Sequence, residues 1–194
     1  MKKTILTIAV ILVSLPAVAQ IPDLYSKIEG GATFGRFRST SYDARIGTGW
    51  MARAYLQYFQ TDNAGFEAGL GLQDIRSSNN LPDVGGKWDV MSIDLPVRSV
   101  FRIDIGMASV SPAVGLFFSY GLRARQDGTT NLYSSGEDVL RHFNMGIDAA
   151  VDVVLIDLIK IGVGYQRGWL NMSKRANSGK LRPSMFTVTA GVVF

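Results

Sequence analysis

RIGTGWMARAYLQY, residues 45–58, carries two interleaved sets of side chains. Arg45, Gly47, Gly49, Met51, Arg53, Tyr55 and Gln57 form one set, and Ile46, Thr48, Trp50, Ala52, Ala54, Leu56 and Tyr58 the other. In an extended strand successive side chains point to opposite faces, so the segment is a strand with one apolar, aromatic-tipped face and one polar, glycine-containing face. The split recurs on both sides of it. Phe66, Ala68, Leu70 and Leu72 oppose Glu67, Gly69, Gly71 and Gln73, and Met91, Ile93, Leu95, Val97 and Phe101 oppose Ser92, Asp94, Arg98 and Arg102. Further on, Val114, Leu116, Phe118, Tyr120 and Leu122 oppose Gly115, Ser119 and Arg123. Phe143, Met145, Ile147, Val151 and Val153 oppose His142, Asn144, Asp148 and Asp152. Ile159, Ile161, Val163, Tyr165 and Trp169 oppose Lys160, Gly162, Gly164 and Gln166, and Phe186, Val188, Ala190, Val192 and Phe194 oppose Thr187, Thr189 and Gly191. With a first strand at Lys27–Phe37, eight strands are expected and no segment has helical period.

Such strands bury one face either in a soluble, lipocalin-like barrel, apolar face inward, or in a membrane barrel, apolar face toward lipid. Three features favour the membrane version. Aromatic residues sit at the ends of the apolar face, as two interfacial girdles require: Trp50, Tyr58, Trp88, Phe101, Tyr120, Trp169, Phe186 and Phe194 are the expected members. Long polar connections (RSTSYDA, DIRSSNNLPDVGGK, RQDGTTNLYSSGED, NMSKRANSGKLR) alternate with short turns near Thr61–Ala64, Asp104–Gly106 and Ile156–Leu158. The chain given also ends on the last strand, at Phe194. The expected fold is all-β, an eight-stranded antiparallel up-and-down transmembrane β-barrel over residues 20–194.

Residues 1–19 read as a cleaved signal peptide: Lys2 and Lys3, an apolar run from Ile5 to Leu15, then Ala17-Val18-Ala19. An apolar run of that length is too short to cross a bilayer as a helix. Export combined with a membrane barrel makes the cell outer membrane the expected location. Of 194 residues, 20 are Lys or Arg and 16 Asp or Glu; without Lys2 and Lys3 the excess of positive charge is small and indicates no nucleic-acid partner. Cysteine is absent and His142 is the one histidine, which removes disulfide, thiolate and multi-histidine metal chemistry.

The inward set includes Lys27, Glu29, Arg53, Glu67, Asp94, Arg98, Arg102, Arg123, Asp148, Asp152 and Lys160. An eight-stranded barrel is just wide enough for its own side chains to fill, so these charges are expected to pair and plug the lumen; a narrow pore for ions or small solutes is the alternative. An envelope hydrolase is a further one, built on His142 with Glu137, Asp138 and the serines Ser134, Ser135 and Ser173, although no nucleophile-elbow motif supports it. Asp83, Asp127 and Asp138 form no calcium-loop motif, and no cofactor is indicated. Lys174, Arg175, Lys180 and Arg182 make a basic loop cluster suited to lipopolysaccharide phosphates, and Leu132 and Tyr133 are expected to be exposed for a protein partner at the outer loops.

Three stretches resemble a known family. MSIDLPVR (91–98), with its proline inside a strand, is similar to the fourth strand of the PorT-like outer-membrane β-barrel family of Bacteroidetes. SPAVGLFFSYGL resembles that family's fifth strand and GVGYQRGWLNMS its seventh, with Trp169 inserted where the family usually runs Gly-Leu. The resemblance implies an eight-stranded outer-membrane barrel in the surrounding outer-membrane lipids, whose terminal strand is similar to the signal read by the outer-membrane assembly machinery, and it implies little about the role. It implies no catalytic residue.

Overall fold

The computed structural model describes residues 24–39, 44–79, 86–127, 130–133, 140–174 and 180–194. The expected signal peptide, and with it residues 20–23, lies outside the described residues. Ten strands follow in order: β1 (Leu24–Ser39), β2 (Ala44–Phe59), β3 (Ala64–Asn79), β4 (Gly86–Phe101), β5 (Ile103–Ile105), β6 (Ala108–Gln126), β7 (Thr130–Asn131), β8 (Phe143–Leu155), β9 (Ile159–Gly168) and β10 (Leu181–Val193). β5 continues β4 past Arg102, and β7 is a short ribbon on β6, so eight staves make the wall. Each pairs antiparallel with its chain neighbours, and β1 pairs β10 from Lys27↔Val193 to Ser39↔Leu181, which closes the barrel and leaves no open edge between first and last stave.

The wall presents apolar side chains outward. Leu70, Leu116, Ile161, Val163 and Val188 are each 38–53% exposed, whereas Glu67, Asp94, Arg98, Asp148 and Lys160 are at most 3% exposed. This polarity is the inverse of a soluble barrel, whose apolar residues fill the interior. Several strands outrun their expected limits. β3 and β4 remain paired as far as Asn79↔Gly86, so most of the segment expected as the second long loop is hairpin.

Two irregularities reset the side-chain period. β2 carries one extra residue between Ile46 and Met51, and β6 carries one at Leu122, opposite the Met91–Ser92 step of β4. A bulge shifts the alternation by one position beyond it. Arg123, expected in the lumen, therefore faces outward, 41% exposed at its side chain and 3.7 Å from Asp89. Trp88, expected in the girdle, is 3% exposed inside the barrel, on the lumen parity of Val90 and Ser92. The other expected girdle residues stand outward at 38–53% exposure: Trp50, Tyr120, Trp169 and Phe186 toward the long-loop end, Tyr58, Phe101 and Phe194 toward the short turns.

Candidate functional site: a lumen closed at two levels

At mid-barrel the inward residues form one ion network. Lys27 from β1 donates to Glu67 on β3 and to Asp152 on β8, both at 2.9 Å. Arg53 on β2 reaches Asp94 on β4 at 2.6 Å, and Arg98 on β4 spans Glu67 at 2.5 Å and Asp148 on β8 at 3.1 Å. Lys160 on β9 pairs with Glu29, lies 2.9 Å from Asp152 and donates to Thr189 at 2.8 Å. Amide side chains complete the shell: Gln57 donates to Glu67, Gln73 accepts from Arg53, and Gln166 donates to Asp148 and Asp94. The Tyr55 ring packs between two cations, 4.3 Å from the Lys27 ammonium and 4.8 Å from the Arg98 guanidinium, and its hydroxyl donates to Glu29 at 3.2 Å. Space for that ring exists because Gly69 lies beneath it, where a Cβ would come within 2.5 Å of the ring.

Four cations and five carboxylates, none more than 5% exposed, thus bind seven of the eight staves together. Charges taken out of water require partners of this kind, because an orphaned one carries a desolvation penalty of several kcal/mol. Arg102, grouped with them from sequence, lies beyond the network at the short-turn rim, bonded to Asp104 at 2.8 Å and Asp157 at 2.7 Å.

A second, apolar closure sits above the network at the long-loop end. Phe37, Ile75, Trp88, Val90, Ala124, Leu132, Tyr133, Leu140, Met172, Leu181 and Met185 form one buried cluster inside the mouth. The chain after β7 turns inward to build it, so Leu132 and Tyr133, expected to be exposed for a partner, are 2% and 8% exposed. The physical reason is that an apolar pair over an open barrel end gains more by covering the lumen than by facing water. A Cβ at Gly121 would fall on the Tyr133 hydroxyl, and burial pushes that hydroxyl's pKa well above the usual tyrosine range. His142 is stacked against Tyr133 at 4.1 Å and Tyr120 at 5.2 Å. Its Nδ1–H donates to the Gly121 carbonyl at 2.8 Å, which fixes the ring as a wall element. Of its expected hydrolase companions, Ser134, Ser135, Glu137 and Asp138 lie outside the described residues, while Ser173 is bridged to Leu140.

Between cap and network lies a cavity of about 20 Å³, near the size of one water, lined by Ser92, Ser119, His142, Asn144 and Gln166 among apolar side chains. On the short-turn side a wider vestibule of about 260 Å³, lined by Tyr25, Gln57, Arg102, Ser109, Ser111 and Asp157, reaches down to Lys27 and Asp152. Among the described residues no group of three acidic or histidine side chains is placed to hold a metal ion.

The structure divides the basic loop cluster. Lys174 and Lys180 flank the last long connection, Arg175 lies outside the described residues, and Arg182 is part of the β10 wall. There it joins Arg36, Arg38 and Arg167, which lie outside the loop cluster read from the sequence. Alternation alone places those three on the faces of Phe34 and Tyr165, where a charge is out of character.

Comparison with solved structures finds small outer-membrane barrels. Neisserial surface protein A aligns at a TM-score of 0.50 and 15% identity over 89% of this chain and 97% of its own. Ail of Yersinia pestis, in complex with a heparin analogue, aligns at 0.49 and 12% over 89% and 99%. The outer membrane enzyme PagL aligns at 0.42 and 11% over 87% and 98%. At these identities the likeness is one of fold. A search of the curated proteins returns no match. The sequence model of the outer membrane protein beta-barrel domain matches residues 5–194, nearly the whole chain, and the protein belongs to that family of outer-membrane barrels.

Proposed function

We propose that the protein is a structural and interaction barrel of a Gram-negative outer membrane, presenting four outer loops on a wall whose lumen does not conduct. The observation that carries this is the double closure: the buried ion network holding the staves together, and the apolar cap above it. The finer kinship is with the PorT-like barrels of Bacteroidetes, on the strand motifs that resemble them. Residues 1–19 act as the export signal, and the strand ending at Phe194 is presented to the assembly machinery. The long loops face outward and meet lipopolysaccharide and any protein partner. The barrel scaffolds these contacts and catalyses no reaction.

Planar-bilayer recording of the refolded barrel tests the closed lumen. No stepwise current is expected from the wild type. The alternative, a narrow pore, draws on the vestibule that reaches Lys27 and Asp152 from the short-turn side, and it requires steady steps whose size changes in Asp148→Ala. Fractionation tests the setting: the protein stays with carbonate-washed outer membranes and migrates differently on gels before and after boiling.

A further inference from the structure

Four arginines that no carboxylate among the described residues answers stand together on the outward wall at the long-loop end. Arg36 and Arg38 lie on β1, Arg182 on β10 and Arg167 on β9. Arg36 is opposite Ser184, Ser184 is opposite Arg167, and Arg38 is directly opposite Arg182. At ~4.8 Å between strands and ~3.4 Å per residue, the four Cα atoms fall within about 12 Å of one another. Their outward direction follows from their neighbours, since Phe37, Gln166 and Leu181 are buried in the lumen or its cap. On the same outward face Phe34 and Phe186 lie one alternation nearer mid-barrel than Arg36 and Arg167 and two nearer than Arg38 and Arg182, 37% and 44% exposed, so the guanidinium groups stand just above the aromatic girdle.

Like charges directly opposite on paired strands are destabilising, and none of the four has an ion-pair partner among the described residues. The Nε of Arg182 is buried with no hydrogen-bond acceptor among the described residues. On the contrasting wall two arginines do face carboxylates: Arg76 is 2.8 Å from Asp74, and Arg123 is 3.7 Å from Asp89.

We propose that this patch is a binding site for the phosphate groups of an outer-leaflet glycolipid, with the acyl chains lying along the apolar face beneath. Planar guanidinium forks match phosphate oxygens in pairs, and a second phosphate on the same lipid suits four arginines spread over three staves. Below them Phe34, Val188, Phe186 and Val163 offer a continuous apolar strip, which selects a lipid over free phosphate. The proposal deepens the outer-membrane reading and rests on it.

The test uses the folded full-length barrel in detergent, bisphosphorylated lipid A as probe, and native mass spectrometry as readout. Wild type is expected to retain the lipid. Arg38→Gln/Arg182→Gln should bind it about ten- to a hundredfold more weakly, the range for losing charge-assisted hydrogen bonds, while Arg38→Lys/Arg182→Lys recovers part of the affinity. Arg76→Gln/Arg123→Gln on the contrasting wall should bind like wild type, and dephosphorylated lipid A should bind poorly throughout. In detergent without lipid the Arg38→Gln/Arg182→Gln protein should be at least as stable as wild type, because a repulsion has been removed, so loss of binding is not loss of fold. Equal retention by that variant, equal loss in the contrasting-wall variant, or displacement of the lipid by inorganic phosphate alone would overturn the site. Heat-modifiable migration of wild type from washed membranes is read separately, so a failure of the membrane setting shows up there.

Discussion

Arg98→Met takes out the cation that three staves share. Its guanidinium lies 2.5 Å from Glu67 and 3.1 Å from Asp148, with all three side chains at most 2% exposed. Removing one partner of a buried ion pair costs about 3–5 kcal/mol, because the charges left behind are desolvated without compensation. Lys27 and Gln57 still serve Glu67, and Gln166 still serves Asp148, which puts the expected loss near the lower end, about 3 kcal/mol. The triple variant Arg98→Met/Glu67→Gln/Asp148→Asn reverses most of it. It leaves Lys27, Arg53 and Lys160 with Glu29, Asp94 and Asp152, a balanced set, and should return to within about 1–2 kcal/mol of wild type. The assay is guanidinium unfolding and refolding of the barrel in lipid vesicles, followed by intrinsic fluorescence, comparing midpoints at matched slope. A single variant within about 1 kcal/mol of wild type, or a triple variant no more stable than the single, would refute the claim that the network holds the wall together by charge pairing.

The inward position of Trp88 is checked by quenching with bromine-labelled acyl chains: Trp50→Phe/Trp169→Phe leaves Trp88 as the one tryptophan and should be unquenched, whereas a protein retaining only Trp169 should be strongly quenched. Gly69→Ala drives a methyl group into the Tyr55 ring and should lower unfolding stability by about 1–3 kcal/mol, the usual range for overpacking. Leu140→Ala, at a fully buried position of the mouth cluster, should cost about 2–5 kcal/mol in the same assay and speed hydrogen exchange of the Leu132 amide, which it helps shield. Ile156→Asn should raise stability by about 1 kcal/mol, because Ile156 (φ 48°) and Asp157 (φ 55°) both occupy the left-handed region in the β8–β9 turn, which a β-branched side chain resists and asparagine tolerates.

The wall was legible in the sequence because period-two patterning is a local property: Arg53, Glu67, Asp94, Arg98, Asp148 and Lys160 sit on the polar parity of their own strands. Trp88 was legible too, since it shares the parity of Ser92 and Asp94, but proximity to the strand end suggested a girdle position and parity decided otherwise. Arg123 was not, because a bulge at Leu122 has no signature in the residues around it. The cap was out of reach for a different reason. Leu132, Tyr133 and Leu140 lie within a polar stretch, and their burial depends on Trp88, Met172 and Leu181, far away in the chain. The arginine patch lay between these cases: each of Arg36, Arg38 and Arg167 interrupts an apolar parity, yet only the closing register of β1 on β10 and of β10 on β9 brings them together.

The staves are of unequal height. β3 and β4 run 16 residues and β6 runs 19, while β9 runs 10 and β10 runs 13. A cylinder cut obliquely has a high side and a low side, and here two of the four clustered arginines, Arg167 and Arg182, stand on the low one. A molecule drifting sideways in the outer leaflet meets a palisade when it comes from the β3–β4–β6 side. Coming from the β9–β10 side, it meets a sill at headgroup height, which gives an otherwise round protein a front and a back within the plane of the membrane.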